Sequence, residues 1–360
     1  MPDAIALLSR IEEVTPHWVT QVLAAAGLPD IQIDGFEAQS IGTGQVGENV
    51  RLALQYGPGS ATGPASVVLK LPSVHAVSRA TAVAQGIYAR EVHFYTDLAR
   101  TLKIRTPRCW HADLDAKGEE FVLVFEDMAP AQPGDQLKGC SLPQAELAMQ
   151  EAARLHAPRW NDPELSGLDW LSHPGPDTAP LLEGFYRSVL PGFEARFQDR
   201  LHEDVLALAR RFGDKIGDWA RFDDGPRCVV HGDFRLDNML FGEGEASAPL
   251  AVVDWQTCAE GHPASDVAYF LGAGLLPEVR RETEHELLGH YHAELAQAGV
   301  VDYSMDDLLR DYRRFSFSGF IMAVVASQIV EANERGDAMF AVMAERHAEQ
   351  ITDLGAEDIL

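Results

Sequence analysis

The stretch VVHGDFRLDNMLF, residues 229–241, places His231, Asp233, Arg235, Asp237 and Asn238 between apolar flanks. Val229 and Val230 read as the end of a buried strand, and Met239, Leu240 and Phe241 as the start of another. The polar residues then sit on a loop whose rigid flanks fix it, a good place for chemistry. The alternative is a plain polar turn between strands. Downstream, PLAVVDWQT presents Asp254 directly after an apolar run. A carboxylate at a strand end, together with the Asn238 carboxamide, is a hard oxygen pair suited to Mg²⁺. Asp254 as a simple cap or turn residue is the plainer reading.

Earlier in the chain, SIGTGQVGENVRL carries Gly42, Gly44 and Gly47 in G-x-G-x-x-G spacing, which fits a phosphate-binding loop and a glycine-rich hairpin equally. A Walker loop needs Lys-Ser/Thr after its last glycine, and here Glu48 and Asn49 follow. A Rossmann fingerprint needs a helix there, and VRLALQY alternates like a strand. Strand, glycine loop, strand is the arrangement of a kinase nucleotide lid. That arrangement demands a lysine on the next strand and a glutamate on the following helix. SVVLKLP supplies Lys70, in an apolar run where burial requires a partner, and YAREVHFY supplies Glu91. Taken singly, Lys70 also fits an edge strand facing water, and Glu91 a solvated helix face. Asp233 and Asn238 have the spacing of the D-x-x-x-x-N catalytic loop of kinases, and Asp254 stands where the metal-binding aspartate follows. The order of these features, more than any one of them, points to a kinase-like phosphotransferase.

The elements that must position these residues can be read from periodicity. Residues 5–26 read as an amphipathic helix ending at Gly27. IQIDGFEAQSI, VRLALQY and SVVLKLP read as three strands, 78–100 as a helix, and FVLVFEDM (121–128) as a buried strand stopping at polar residues. After the turn-rich APAQPGD the chain is mostly helical. SLPQAELAMQEAARLHA offers Ser141 as a cap and Pro143 in a first turn. Two short strand candidates lie near 228–256, and FSGFIMAVVASQIV (317–330) reads as a buried helix too short to span a membrane. Early strands and late helices predict an α+β fold, with a small lobe over 1–127 and a larger helical lobe over 128–360.

The chain has 360 residues, enough for two lobes with a real core. A net charge of -26, from 29 basic and 55 acidic residues, argues against a nucleic-acid partner and an anionic membrane surface. Cys109, Cys140, Cys228 and Cys258 show no C-x-x-C spacing and read as free thiols of a reducing cytoplasm. The N-terminus lacks a basic-then-apolar leader, so a cytoplasmic location is expected. ETEHELLGHYH has Gly289 where H-E-x-x-H needs histidine, which leaves His285 and His290 off a shared helix face. His156 in RLHA reads as a satisfied interior histidine.

HGDFRLDNMLF, VVDWQT and GHPASDVAYF together resemble the aminoglycoside phosphotransferase family of the protein-kinase-like fold. They look most like its bacterial branch related to ecdysteroid and choline kinases. HGD in place of HRD, and Asp-Trp in place of D-F-G, separate this family from protein kinases. The resemblance runs from about residue 35 to about residue 330, and Val50 falls one place later than in the protein-kinase glycine loop. It implies two lobes, a small antiparallel-sheet N-lobe with one main helix and a larger helical C-lobe. It implies ATP and Mg²⁺ as cofactors and a small-molecule hydroxyl as acceptor. Gly42, Gly44 and Gly47 would cover the nucleotide, and Lys70, held by Glu91, would neutralise its phosphates. Backbone near Glu126 and Met128 would meet adenine, and Asn238 and Asp254 would hold Mg²⁺. Asp233 would take the acceptor's proton late. Arg235 would touch the γ-phosphate or form a loop salt bridge. His231 and Asp266 would brace the loop.

Residues 160–222, where the family builds its acceptor site, hold Trp160, Trp170, Phe185, Tyr186, Phe193, Phe197, Phe212, Trp219 and Phe222. Core packing accounts for most such rings. The remainder favours a largely apolar alcohol or hydroxyacyl compound as acceptor. An aminoglycoside would need convergent carboxylates, and here Arg187, Arg196 and Arg200 are interleaved with the acidic residues. A choline-like amino alcohol is the related alternative. A nucleotide-binding pseudokinase would be favoured if Asp233 or Asp254 were missing, and both are present.

Overall fold

The computed structural model describes residues 5–42, 46–243 and 249–360. The chain forms two compact units, Met1–Arg100 with Thr106–Ala129, and Thr101–Arg105 with Pro130–Leu360.

In the first unit, Thr15 is extended because a residue before proline avoids the helical region, and its hydroxyl accepts from Trp18 N at 3.2 Å. Helix α1 therefore runs Pro16–Ala25, and among the described residues only a 3₁₀ turn, Ile11–Glu13, precedes it. The helix expected over 5–26 is shorter for that reason. Strands β1 (Ile33–Ile41), β2 (Gly47–Tyr56), β3 (Ser66–Pro72), β4 (Cys109–Leu114) and β5 (Phe121–Glu126) form one antiparallel sheet in the order β1-β2-β3-β5-β4. Val22 and Leu23 of α1 pack with Leu52, Val67, Leu69 and Leu71 in one buried cluster. Between β3 and β4 the helix expected over 78–100 is broken. Gly86, with φ 65°, ends α2 (Ala76–Ala84), and α3 (Ile87–His93) passes into a π turn at Phe94–Leu98. Strand β4 has no counterpart in the sequence reading. It is an edge strand of half-buried residues, and a register shift between Cys109 and His111 blurs its alternation.

The second unit holds β6 (Gln132–Pro133), α4 (Leu142–His156), α5 (Ala179–Phe197), α6 (Glu203–Ala220), β7 (Cys228–Val230), β8 (Met239–Phe241), β9 (Leu250–Val252) and β10 (Ala259–Gly261). Helices α7 (Ala264–Gly274), α8 (Pro277–Gln297), α9 (Met305–Phe315), α10 (Phe317–Ile329) and α11 (Glu334–Asp353) complete it. Helix α4 begins as its sequence demands, with Ser141 N donating to Gln144 Oε1 at 3.0 Å. The strand candidates near 228–256 become two small antiparallel sheets, β10-β7 and β6-β8-β9. Helix α10 packs on α5, α7 and α11, burying Phe317, Phe320, Ala323 and Val324 while Ile321, Met322 and Val325 are only partly covered. Among the described residues no helix is long and apolar enough to cross a membrane.

Candidate active site

In the first unit, β3 lies between β2 and β5, so Lys70 is on an interior strand and not on an edge. Its Nζ stands 2.8 Å from Glu91 Oε1 and 2.7 Å from Oε2, with Lys70 9% and Glu91 2% exposed. Burial of that lysine is tolerable because α3 supplies the opposite charge. Gly47 faces the same place. A Cβ there would stand a tight 3.0 Å from Leu71 O and at ordinary contact, 3.7 Å, from Lys70 Cε, so Gly47 lies directly against the lysine stem. Gly42 has φ 73°, a left-handed conformation that glycine adopts without cost; Gly44 lies outside the described residues. At the end of β5, Glu126 N donates to Arg108 O (2.8 Å) while its carboxylate accepts from Arg108 N (3.0 Å). Met128 is half-buried two residues later.

Asp127, between them, was not singled out from sequence. Arg51 grips its carboxylate in a fork at 2.6 and 3.0 Å, Ser66 Oγ donates at 2.6 Å, and Ala129 N donates at 3.0 Å. Burial pushes the Asp127 carboxyl up, but those donors outweigh it and hold the group below the usual aspartate range. The segment leaving β5 is thus pinned to β2 and β3.

In the second unit, the loop between β7 and β8 is built around Asp266 of α7. Its two oxygens accept from His231 N at 2.7 Å and Gly232 N at 2.9 Å. Gly232 has φ 78°, and a Cβ there would meet Thr257 O at 2.6 Å, so only glycine fits the second place of the H-G-D motif. Both ring nitrogens of His231 are committed. Nε2–H donates to Val253 O (3.0 Å), and Nδ1 accepts from Asp233 N (3.2 Å). His231 is therefore a brace and not a base. His156 is fully buried, with Tyr291 Oη at 2.7 Å and Asp266 Oδ2 at 3.3 Å, the satisfied interior histidine expected from sequence.

Asp233 sits half-buried at the centre of this loop. Arg235 Nε donates to both its oxygens at 2.9 Å, Tyr269 Oη donates to Oδ1 at 2.7 Å, and Asn238 Nδ2 donates to Oδ2 at 2.9 Å. Burial raises the Asp233 carboxyl, but the Arg235 charge and the Tyr269 and Arg235 hydrogen bonds prevail and keep it below the usual range. Burial and the charge of Asp233 together drive the Tyr269 phenol well above its ordinary value, so it stays a donor. Arg235 forms the loop salt bridge that was one of its two sequence readings, and also reaches Asp237 Oδ2 at 3.1 Å. Tyr269 was missed; in GHPASDVAYF it reads as one more core aromatic.

The donor set fits a hard cation. Asn238 Nδ2 also donates to Asp233 O at 2.9 Å, and since both its partners only accept, the carboxamide nitrogen must face them. The Asn238 carbonyl oxygen is thereby turned the other way. Its backbone oxygen accepts from Val253 N at 3.0 Å, next to the β8-β9 ladder in which Met239 pairs with Val252. Asp254 follows directly, in a left-handed conformation (φ 69°, ψ 63°) that costs a non-glycine residue about 1–2 kcal/mol. The described residues hold no cluster of three or more His, Cys, Asp or Glu side chains placed to hold a metal ion. One carboxylate and one carboxamide, completed by phosphate oxygens and water, match the habit of Mg²⁺.

The surroundings of this loop are rich in arginine. Arg335 of α11 forks onto Asp237 at 3.1 and 3.1 Å, and Arg196 and Arg200 both pair with Asp337. The aromatic surplus of 160–222 goes mainly into packing: Tyr186, Phe193, Phe197 and Phe212 are buried in the core, and Phe222 lies under Arg314. Only Phe185 among these rings is notably exposed.

Comparison with known proteins agrees with this geometry. A family model described as the phosphotransferase enzyme family matches residues 60–315. Among solved structures, choline kinase from Cryptosporidium parvum superposes with a TM-score of 0.55 at 10% identity, covering 90% of each chain. Plasmodium vivax ethanolamine kinase gives 0.54 at 12% identity, covering 94% of this chain and 84% of that one. The GDP complex of wild-type aminoglycoside 2'-phosphotransferase-IIIa gives 0.50 at 15%, covering 93% and 98%. These show the protein-kinase-like, two-lobe α+β fold. Acyl-CoA dehydrogenase family member 11 of Gallus gallus is 26% identical over 210 residues, 55% of this chain and 23% of that protein. Family member 10 of Mus musculus is 51% identical over 49 residues, 14% and 4%. The chain thus spans under a quarter of the length of these relatives. With the matched residues covering most of its length, the chain belongs to the phosphotransferase enzyme family.

Proposed function

We propose that the protein transfers the γ-phosphate of ATP to a hydroxyl of a small molecule, with Asp233 as the group that orients the hydroxyl and accepts its proton. The observation that carries this reading is the clasp of Asn238 on Asp233, which fixes a carboxylate and turns a carboxamide oxygen away from it. Phosphoryl transfer asks for positioning and charge neutralisation more than for a strong base. A carboxylate held below the usual range by Arg235 and Tyr269 suits a proton taken late, when the new O–P bond is well formed. Lys70, oriented by Glu91, serves the α- and β-phosphates. Gly42, Gly44 and Gly47 belong to the segment that covers them, and backbone near Glu126 and Met128 serves the adenine. Asn238 and Asp254 would hold Mg²⁺, which when bound draws charge from the phosphate oxygens. Arg235 serves Asp233 and not the γ-phosphate directly.

The acceptor class follows from charge. Two carboxylates by the loop are already matched, Asp237 by Arg235 and Arg335, and Asp337 of α11 by Arg196 and Arg200. A polycation such as an aminoglycoside finds little there to grip, so a neutral or anionic hydroxyl compound is the better substrate. An apolar alcohol or a hydroxyacyl compound falls within that class. The test is ADP release over a panel of hydroxy acids, their thioesters, apolar alcohols, amino alcohols and aminoglycosides, for the wild type and Asp233→Asn. Loss of turnover by about 10²- to 10⁴-fold in the variant is expected, with Mg-ATP affinity kept. Turnover near the wild-type rate in Asp233→Asn would overturn the assignment.

A further inference from the structure

Helix α3 carries a second polar side chain near Glu91. Tyr88 stands three residues earlier, one turn back, so the two share a helix face. Its ring is 2% exposed and packs on Phe121 with 4.5 Å between centroids. Its hydroxyl donates to Val46 O at 2.6 Å and accepts from Ser73 N at 3.1 Å. The position of these partners gives the contact its meaning. Strands β2 and β3 end their pairing at Gly47 opposite Pro72, and Pro72 has no N–H to offer. Val46 and Ser73 would be the next pair of the ladder. The Tyr88 oxygen stands between their carbonyl and amide and replaces the missing rung. A phenylalanine would pack on Phe121 equally well, so packing alone does not call for the hydroxyl.

We infer that Tyr88 is a positioning residue for nucleotide phosphates, fixing the Val46–Gly47 backbone against the Lys70–Glu91 pair. This rests on the proposed role of Lys70 at the phosphates. Gly47 lies against the Lys70 stem, its Cβ position 3.7 Å from Lys70 Cε, so a shift of Val46–Gly47 is felt at the lysine. One face of α3 thereby sets both the cation, through Glu91, and the backbone beside it, through Tyr88. Neither the glycine spacing nor the Lys-Glu pair requires a tyrosine at this place.

The test is equilibrium binding of Mg-ATP, Mg-ADP and adenosine to the full chain, adenosine being read by competition. In Tyr88→Phe, which loses both hydrogen bonds of the hydroxyl, the affinity for ATP and ADP should fall about 5- to 10-fold, because part of that loss is felt at the phosphates. Adenosine, which has no phosphate, should bind within about two-fold of wild type. Tyr88→4-aminophenylalanine keeps a donor for Val46 O and should restore ATP binding, which also serves if the phenylalanine variant folds poorly. Unchanged ATP and ADP binding in Tyr88→Phe overturns the inference. So does an equal loss for all three ligands, which marks a merely structural tyrosine, or a failure of the amino variant to rescue. A wild-type chain that binds no nucleotide at all would instead bring down the kinase reading itself, and this inference with it.

Discussion

Replacing Asp266 tests whether the loop from His231 to Asn238 depends on one buried carboxylate. Its side chain is 1% exposed and accepts from the backbone of His231 and of Gly232 at 2.7 and 2.9 Å. Each such bond to a charged acceptor contributes about 1.5–3 kcal/mol, and a buried donor left without a partner costs about 1–3 kcal/mol. Asp266→Ala strands two N–H groups, so a loss of about 3–6 kcal/mol is expected, a large share of the roughly 5–15 kcal/mol that holds a domain together. Asp266→Asn keeps one acceptor and turns an NH₂ toward the other donor, so about 2–4 kcal/mol is expected. Urea unfolding followed by circular dichroism gives both numbers, provided the m-value is unchanged. Turnover should fall in Asp266→Asn even where the chain is fully folded, because Asp233 directly follows the released backbone of His231 and Gly232. An asparagine variant within about 1 kcal/mol of wild type, with full activity, would refute the reasoning.

Three further outcomes are expected. Glu91→Ala leaves Lys70 buried without this carboxylate; stability should drop by about 3–5 kcal/mol and Mg-ATP affinity should fall, and unchanged values for both would remove the pair from the site. Gly232→Ala forces a side chain into φ 78° and against Thr257 O, so turnover should fall at least about 10-fold while Mg-ATP binding holds; calorimetry and ADP release separate the two. Burial holds His347 down at about 4, so the unfolded chain binds its proton first as pH falls. The contribution of His347 to stability is full above about pH 6.5 and declines by about 3 kcal/mol toward pH 4. His347→Gln should flatten the stability profile in that window, and an identical slope in urea titrations would contradict it.

The parts of the site legible in sequence are those whose residue type is costly where it stands. A lysine in SVVLKLP asks for a partner, and HGDFRLDN is too polar for its apolar flanks to be an accident of packing. What escaped the sequence is what depends on distant chain. Asp127 meets Arg51 and Ser66 from 76 and 61 residues away, and Leu236 N is satisfied by Gln136 Oε1 from 100 residues away. No local pattern announces such pairs. Tyr269 was hidden because a tyrosine on an apolar helix looks like core until its hydroxyl is located. The aromatic surplus of 160–222 was visible, but its use was not. A ring in a core and a ring in a pocket have the same signature in sequence, and tertiary packing decides between them. The break at Gly86 was overridden by the helical spacing on both sides of it.

The short β8-β9 ladder works as a ruler. Asn238 precedes its first rung, where Met239 meets Val252, and Asp254 comes just after Val253. The spacing of Asn238 and Asp254, the proposed oxygen ligands, is set there, at the rung nearest both residues. Beyond the last rung, Phe241 opposite Leu250, Gly242 N still reaches Pro249 O at 3.1 Å. Chain length past that point can vary without moving Asn238 or Asp254. Among relatives, insertions and deletions should gather between residues 242 and 249 and stay out of 238–241 and 250–254. For the same reason, a fluorescent reporter or short epitope spliced between residues 242 and 249 should sit close in sequence to the proposed metal ligands while remaining mechanically silent.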